Sequence, residues 1–412
     1  MDYQFKEVNK DIIASFPQLI NLARKEKTPF FLIFEERIRQ NYENFVNCFL
    51  RVNNLKIYYS VKTNFESKVL QTLQAMDCGA EISGGLDLFV AEKAGFSSRD
   101  IVFDGPYKSE EELSEVISKD IRLINVESTD EIRSIDRLAE KAKRTVSIGL
   151  RIDFQFSSIN SLTLLLRCFQ KKFGFSKGNL KDALKEVKRC NNLNLKGLLF
   201  HNTDPITKPK DYLKSLKALF LFALQLRKEG LNIDELNLGG GYSGSKSAIR
   251  TIGEKLSDYY SRCCNKYGFE PTLILEPGRA IVDNAVILVG RILNIDRKWA
   301  LADISINDLG YKFPLRGKEF IVANKLFDKP TERINIGGPT VNPYDRLYRN
   351  AKVPHLEKGD VMVIFNVGAY TIPLATQFIR PRCAVYFKRL SGKIELIRKR
   401  ENYKDVIKNQ IW

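Results

Sequence analysis

Histidine is scarce in this chain: only His201 and His355 occur in 412 residues. Protein zinc sites are built from several histidines or from closely spaced cysteines, so a histidine-rich metal site is excluded and no metal is expected. The seven cysteines are odd in number, and no two of them have CxxC spacing. They therefore predict free thiols in a reducing cytoplasm, where disulfides are rare.

Long apolar runs are also absent. No stretch approaches the roughly 18 uninterrupted apolar residues of a membrane-spanning helix, so no membrane span is expected. The first seven residues, Met1-Asp-Tyr-Gln-Phe-Lys-Glu7, contain neither a basic segment nor an apolar core and do not predict a signal peptide. An apolar fraction of 44% nevertheless excludes a disordered chain, and the length is sufficient for two domains.

The net charge is +17, but the basic residues are scattered in short clusters such as Arg398-Lys399-Arg400. A nucleic-acid interface requires a concentrated basic stripe with interleaved aromatic residues, and none is present, so no nucleic acid is expected as a partner. The charge is compatible with an anionic substrate, with an acidic partner protein, or with solubility alone.

Short β-branched runs alternate with amphipathic segments, such as Glu110–Ile117 and Thr129–Lys143, between residues 57 and 280. The predicted strands are Ile57–Val61, Ala80–Ser83, Ile101–Phe103, Arg122–Val126, Ser147–Ile152, Lys196–Phe200, Glu235–Leu238 and Leu273–Leu275. This number of strand–helix units is typical of an α/β fold of the (β/α)8 TIM-barrel type. A doubly wound open sheet is the alternative.

After residue 280 the pattern changes to strand-like segments without comparable helices. These segments are Ala285–Ile295, Glu319–Ala323, Arg333–Ile336, Val361–Phe365 and Ala384–Phe387. They predict a mostly antiparallel β-domain that is joined by an N-terminal strand, Pro29–Ile33. We therefore expect a barrel over residues 36–280 and a β-domain formed by residues 1–35 and 281–412.

Several unusual residues follow predicted barrel strands. Lys62 follows the first strand, His201 the sixth, and Glu276 the eighth. Barrel enzymes place their active sites at the carboxyl ends of the strands, where a desolvated lysine can form a Schiff base with an aldehyde cofactor. A solvated lysine and a hydrogen-bonded structural histidine are the alternative interpretations.

Three glycines, Gly239 to Gly241, follow the seventh strand. Their backbone N–H groups can bind a phosphate, with Arg279 as a charged partner, although glycines after strands are also common turn residues. The carboxylate of Glu276 can bind a protonated pyridine nitrogen, or it can form a structural ion pair.

The chain resembles the fold-type III pyridoxal-phosphate decarboxylases, which have an alanine-racemase-like barrel and include diaminopimelate, ornithine and biosynthetic arginine decarboxylases. The matching stretches are Tyr59–Asn64, Gly79–Gly85, Val102–Ser109, Lys172–Phe175, Leu238–Tyr242, Glu276–Arg279, Asp303–Asp308, Gly338–Thr340, Lys358–Asp360 and Gly368–Thr371. Ten motifs in the order of the family cover almost the whole chain. The segment Asp303-Ile-Ser-Ile-Asn-Asp308 is most similar to the diaminopimelate and carrier- or siderophore-pathway branch.

The resemblance implies a role for each matched residue. Lys62 would bind pyridoxal 5'-phosphate covalently, His201 would stack on its ring, Arg151 would lie close to the ring, and Glu276 would pair with the pyridine nitrogen. The phosphate would be held by Gly239, Gly240, Gly241, Gly278, Arg279 and Tyr370. The family is dimeric, so a homodimer is expected in which one subunit completes the site of the other. The expected substrate-binding positions are Asp303, Asn307, Val341, Asn342 and Asp345.

The chain departs from the family at several of these positions. Val341 stands where the family usually has a cysteine that acts as a general acid, and Asn342 where an acidic residue often follows. Asp204 lies in the segment expected near the phosphate, where its charge would be repelled. Gly310-Tyr311 replaces an arginine that binds a second substrate carboxylate. Without the cysteine, the proton would have to come from Lys62, His201 or water.

These departures count against diaminopimelate, ornithine and arginine as substrates. The expected function is decarboxylation of an amino acid, or of a conjugated or carrier-bound amino acid, in secondary metabolism. Two alternatives remain: another reaction at Cα, such as racemisation, and a weakened homologue that acts through a protein partner.

Overall fold

The structure, a computed structural model, describes residues 9–153, 172–176, 178–201, 209–310 and 318–412. The chain divides into two compact units. The barrel unit is Ile38–Ile281, and the β-domain combines Met1–Arg37 with Val282–Trp412.

The N-terminal segment contributes two helices and a strand to the β-domain. These are α1 (Lys10–Ala14), α2 (Phe16–Lys25) and β1 (Phe30–Phe34), and they are followed by α3 (Glu35–Asn47). Every residue of β1 is buried. An uninterrupted apolar run of this kind is typical of a strand with neighbours on both sides.

Eight parallel strands form the closed barrel predicted from the sequence. They are β2 (Leu55–Ser60), β3 (Gly79–Ile82), β4 (Ile101–Phe103), β5 (Leu123–Val126), β6 (Val146–Arg151), β7 (Leu193–Leu199), β8 (Glu235–Asn237) and β9 (Thr272–Leu275). The last strand pairs with the first, with Leu273 opposite Leu55, so the open-sheet alternative is wrong.

Amphipathic helices alternate with these strands. They are α4 (Ser67–Gln74), α5 (Gly85–Ala94), α6 (Glu110–Ser118), α7 (Thr129–Ala142), α8 (Leu180–Arg189), α9 (Pro209–Lys228) and α10 (Lys246–Tyr267), and α11 (Arg279–Val282) follows β9. In α7 the residues Ile132, Ile135 and Leu138 recur on one face and are buried. Such spacing lets each helix cover the sheet while its charged face meets water.

The rest of the β-domain is a mostly antiparallel sheet, as predicted. Its strands are β10 (Val286–Asp296), β11 (Trp299–Ala302), β12 (Phe320–Val322), β13 (Glu332–Gly337), β14 (Arg346–Val353), β15 (Val361–Ile364), β16 (Ala384–Lys388) and β17 (Ile394–Arg398), before α12 (Tyr403–Ile407). The order is β14-β13-β11-β10-β1-β16-β17, and β15 pairs with β10 and β12. Two pairings are parallel, β1 with β16 and β11 with β13.

A continuous apolar core joins this sheet to the N-terminal helices. Ile12 of α1 and Leu19 of α2 pack in one buried cluster with Leu32, Ile287 and Val363. The N-terminal residues therefore complete the hydrophobic core of the β-domain.

Across the described ranges, no helix combines the length and the apolar character that crossing a bilayer requires.

Candidate active site

Polar side chains occur at the carboxyl end of every barrel strand. Because the strands are parallel, these ends meet at one rim of the barrel. The residues concerned are Ser60, Lys62, Glu81, Ser83, Asp104, Glu127, Arg151, His201, Asn237 and Glu276.

Lys62 lies in a single 3-10 turn, Val61–Thr63, immediately after β2. Its Nζ is 2.6 Å from Oε1 and 2.5 Å from Oε2 of Glu81, and 2.9 Å from Oγ of Ser83. The Glu81 side chain is only 2% exposed, whereas that of Lys62 is 41% exposed. The ammonium group is thus held in a bidentate ion pair at the rim of the barrel.

The Glu81 carboxylate is fixed by hydroxyl groups from two strands. Oγ of Ser60 donates to Oε2 at 2.5 Å, and Oγ of Ser83 donates to Oε1 at 2.8 Å. Burial by itself raises the pKa of Glu81, but the Lys62 ammonium and the two hydroxyls outweigh it, and the pKa lies below its usual value. Glu81 is therefore a carboxylate at neutral pH.

Glu276 follows β9 and is also buried, with 2% of its surface exposed. Its Oε1 accepts a hydrogen bond of 2.5 Å from Nδ2 of Asn237. Burial, followed by the nearby carboxylates of Asp104 and Glu81, raises its pKa well above the usual value. Burial therefore favours the neutral form of this carboxyl, and a cationic partner would favour its ionisation.

His201 follows β7 and lies against the glycine turn of residues 239–241. The Gly240 N–H donates to Nδ1 of His201 at 3.1 Å, which leaves the proton of the neutral ring on Nε2. Burial lowers the pKa of His201 to about 3, and the cations of Arg151 and Lys62 contribute further. His201 is consequently uncharged at neutral pH.

The glycine turn is shaped by close approaches that exclude a side chain. A Cβ on Gly239 would lie 2.5 Å from Nδ1 of His201, and one on Gly240 would lie 2.6 Å from the carbonyl oxygen of Glu276. The Gly239 N–H donates to Oδ1 of Asn237 at 2.7 Å. No described residue accepts from the Gly241 N–H, so this amide remains available to an anion.

Arg151, the last residue of β6, is buried and paired. Its Nη1 is 2.7 Å from Oε1 of Glu127, and its guanidinium lies 4.4 Å from the centre of the Phe173 ring. The Gly174 N–H donates to the other oxygen of Glu127 at 2.9 Å, which fixes the Lys172–Phe175 motif against the end of β6.

A second buried carboxyl, Asp104, follows β4. Its Oδ1 accepts a 2.6 Å hydrogen bond from Nδ2 of Asn125. Burial and the neighbouring Glu81 charge raise the pKa of Asp104 to about 6. Together with Glu81 and Glu276, it makes the rim rich in carboxyl groups and therefore receptive to a positively charged ring nitrogen.

The remaining predicted positions belong to the β-domain. Asp345 accepts hydrogen bonds from Oγ of Ser305 at 3.0 Å, from the Ile306 N–H at 2.9 Å and from Oγ1 of Thr340 at 2.6 Å. These contacts join two loops of the β-domain, and a role for Asp345 in substrate binding stays a prediction.

Asn307 and Asp303 are also occupied within the β-domain. Nδ2 of Asn307 donates to Oγ of Ser305 at 2.9 Å, and Oδ2 of Asp303 accepts from Oγ1 of Thr28 at 2.5 Å. A direct role for either residue in substrate binding stays a prediction.

Val341 and Asn342 occupy a turn at the surface of the β-domain. Val341 is 82% exposed, and Oδ1 of Asn342 accepts from the Tyr344 N–H at 2.9 Å. Tyr370 has a positive φ of 58°, a conformation that is uncommon for a bulky residue and is often found at functional positions. Gly278 and Arg279 lie at the rim after β9, whereas Asp204 and Tyr311 fall outside the described residues.

Four further polar residues at the rim were not predicted from the sequence: Glu81, Asp104, Glu127 and Asn237. Each one stands at or just after the end of a barrel strand, which is the position that singled out Lys62 and Glu276. The pairing of Glu81 with Lys62 also depends on strand register, because Glu81 lies opposite Ser60 in the β2–β3 ladder. A search for polar residues at every strand end would have found all four.

Two family models together match most of the chain. Residues 35–283 match the model of the pyridoxal-dependent decarboxylase, pyridoxal binding domain, and residues 279–368 match that of the C-terminal sheet domain. Diaminopimelate decarboxylase of Methanocaldococcus jannaschii is 29% identical over 95% of this chain and 93% of its own length.

A second relative is the L-glutamyl-[BtrI acyl-carrier protein] decarboxylase of Niallia circulans, which is 25% identical over 96% of each chain. The crystal structure of diaminopimelate decarboxylase from M. jannaschii in co-complex with L-lysine superposes with a TM-score of 0.87. That comparison covers 95% of this chain and 94% of the other at 27% identity. The chain therefore belongs to the family of pyridoxal-dependent decarboxylases.

Proposed function

We propose that this pyridoxal-phosphate-dependent carboxy-lyase acts on an amino acid that is part of a conjugate or is attached to a carrier protein, in secondary metabolism. One observation carries the proposal: the positions that the family uses to bind the distal charge of a free amino acid are changed. Asn342 occupies the position where the family often has an acidic residue, and Gly310-Tyr311 replaces the family's arginine. An amide and a glycine cannot neutralise a distal ammonium or carboxylate.

The Niallia circulans relative supports this substrate class, because its name describes a glutamyl group on an acyl-carrier protein. The net charge of +17 is also compatible with an acidic carrier.

The residues at the barrel rim fit pyridoxal phosphate. The Lys62 amine faces the rim, the buried Glu276 carboxyl suits a ring nitrogen, and neutral His201 offers an uncharged ring face. The Gly241 N–H, which donates to none of the described residues, and the Arg279 guanidinium would bind the phosphate. When bound, the cofactor supplies an electron sink for the electron pair that CO2 leaves on the substrate.

The chain's own residues orient and protect this chemistry. The Glu81 pair fixes Nζ of Lys62, and the hydrogen bond from Gly240 fixes the His201 ring. The close approach of the glycine turn to His201 and to the Glu276 carbonyl leaves no room there for a side chain.

We also propose a homodimer in the cytoplasm. The exposed turn that carries Val341 corresponds to the segment by which, in the family, one subunit completes the site of the other. The six described cysteines are all free thiols, which supports a reducing compartment.

The test is a mass-spectrometric assay of CO2 loss with a matched pair of substrates. L-Glutamate would be offered free and loaded on the carrier protein of the Niallia circulans relative, with meso-diaminopimelate and L-ornithine as further free amino acids. We expect loss of CO2 from the loaded glutamate and at least about tenfold slower loss from each free amino acid. The control Lys62→Ala should abolish both.

Efficient turnover of meso-diaminopimelate would contradict the substrate class. Inversion at Cα with the carboxylate retained would instead favour the racemase-like alternative.

A further inference from the structure

The geometry of the Lys62–Glu81 ion pair allows proton transfer between the two side chains as well as neutralisation of their charges. Both carboxylate oxygens lie within 2.6 Å of Nζ, and the carboxylate itself has almost no access to water. A proton on this pair can therefore move between nitrogen and oxygen over a single short hydrogen bond. Lys62 is the partly exposed member, so exchange of that proton with solvent takes place at the lysine.

We propose that Glu81 is the positioning residue that stores the proton of Lys62, and that this pair protonates the product in place of the family's cysteine. The inference rests on the proposed function and deepens it. Val341, at the cysteine position, has no group that can donate a proton.

An ammonium cannot attack an aldehyde, so one N–H bond of Lys62 breaks and one O–H bond forms on Glu81 before Nζ reacts. When Nζ becomes free again, Glu81 returns the proton and the ammonium re-forms. Nζ then donates a proton to the substrate carbon that has lost CO2. Solvent restores one proton to the pair for each CO2 released.

The neighbouring groups are less suited to this role. His201 has a low pKa, and its Nδ1 is occupied by the Gly240 N–H. Glu276 is hydrogen-bonded to Asn237, and Asp104 to Asn125.

Two further charged groups face the pair and are also engaged elsewhere. Oδ2 of Asp87 accepts from the Ser83 N–H at 2.9 Å, and Arg151 is paired with Glu127. Glu81 and Ser83, by contrast, touch Nζ directly. Ser83 can accept from Nζ while it donates to Glu81, so the hydroxyl keeps the carboxyl in place after the proton has moved.

The first test uses the chain without cofactor or substrate. Acetic anhydride would be pulsed onto wild type, Glu81→Gln and Glu81→Asp, and acetylation of Lys62 followed by peptide mass spectrometry. We expect Lys62 to react several-fold faster in Glu81→Gln at neutral pH, because the neutral amide no longer stabilises the ammonium. Glu81→Asp should remain close to wild type.

The matched control is Glu235→Gln. Glu235 is also a buried barrel carboxylate paired with cations, Arg122 and Lys196, but it stands at the first residue of β8, at the opposite end of the barrel. This variant should leave Lys62 acetylation unchanged. Thermal unfolding of all variants would verify that each one is folded.

The second test uses the enzyme with bound cofactor and measures two products. The amine forms when the proton enters at the substrate carbon that has lost CO2, and a carbonyl product forms when the proton enters at another atom. Glu81→Gln should increase the carbonyl share by at least about tenfold, and adding Val341→Cys should reverse the increase. Unchanged acetylation, or an unchanged product ratio, in a folded Glu81→Gln variant would overturn the inference. Acetylation of Lys62 needs no substrate, so the two proposals can fail separately. If only the proposed function is wrong, Lys62 will still react faster in Glu81→Gln than in wild type, but the loaded enzyme will release no CO2.

Discussion

The two histidines lie in opposite electrostatic surroundings. Nδ1 of the exposed His355 is 2.5 Å from Oε1 of Glu332, and this hydrogen bond raises the pKa of His355 above 6.5. His201 lies in the barrel rim, where burial, followed by the nearby cations of Arg151 and Lys62, lowers its pKa to about 3. The same side chain thus titrates near neutral pH at the surface position, whereas at the barrel rim it is uncharged at neutral pH.

Nitrogen NMR of the two imidazoles would test this contrast, because only two sets of signals exist. Between pH 5 and 8 we expect His355 to titrate and His201 to stay neutral with its proton on Nε2. A His201 titration near pH 6.5 in the unloaded chain would contradict the buried environment. The variant His355→Gln assigns the signals.

The lowered His201 pKa also predicts a direction for stability. Below pH 6.5 the unfolded chain binds a proton on His201 that the folded chain does not bind, so this residue makes the folded state less stable as the pH falls from 6.5 towards 3. Urea unfolding of the unloaded chain should show a shallower loss of stability with acid in His201→Gln than in wild type. Equal slopes would contradict this assignment.

Individual site residues were predictable from the sequence where a residue type is unusual at its position in a strand or turn. A lysine after a strand, a triple glycine and a glutamate before Pro277 stand out without any structure. Glu81 and Asn237 did not stand out, because their roles depend on neighbours from other strands. Ser60 meets Glu81 only through the register of β2 and β3, and Asn237 meets Glu276 only across β8 and β9.

Secondary-structure elements were predictable where burial dictates composition. The eight barrel strands are apolar and β-branched because both of their faces are covered, and all eight were found. The strands β11, β14 and β17 were missed for different reasons. Most residues of β14 (Arg346–Val353) are polar, and only two of them are buried. The strand β11 has four residues that alternate between exposed and buried, and no residue of the five-residue strand β17 is fully buried. The helices α1 and α2 were not predicted, since the strand Pro29–Ile33 was the one element assigned to the N-terminal residues.

Packing between elements provides a test in α10. Gly253 lies in the interior of this helix, where alanine would normally stabilise by about 1 kcal/mol. A Cβ there would, however, be 2.2 Å from the carbonyl oxygen of Cys48. Because backbone must move to make room, we expect Gly253→Ala to destabilise the fold by about 1–3 kcal/mol.

Urea unfolding at neutral pH would measure the effect of Gly253→Ala. Gly244→Ala is the control, since no atom lies within 4 Å of the Cβ it would add. A stabilised Gly253→Ala variant would show that the higher helix propensity of alanine outweighs its close contact with the Cys48 carbonyl oxygen.

At the scale of the whole molecule, the proposed homodimer makes activity depend on two chains. A Lys62→Ala chain would lack the cofactor amine but keep an intact turn at residues 340–345, and a Val341→Arg chain would have the reverse defect. Each variant alone should be inactive. Mixing them in equal amounts should restore about a quarter of wild-type activity, since half of the dimers are hybrids with one complete site each.

Sedimentation of the same mixture would verify that dimers form and exchange. A dimeric mixture with no recovered activity would contradict the shared site, and an active Val341→Arg chain that sediments as a monomer would contradict the dimer itself.

The two ends of the chain meet in one sheet, and this arrangement has a consequence for biosynthesis. The fully apolar β1 pairs with β10 and β16, which begin at Val286 and Ala384. A ribosome that adds roughly 5–20 residues per second therefore releases Phe30–Phe34 tens of seconds before its first partner strand exists. During that interval this apolar pentapeptide has no partner strand to cover it, so nascent chains of this protein should depend on chaperones at least until β10 has been translated.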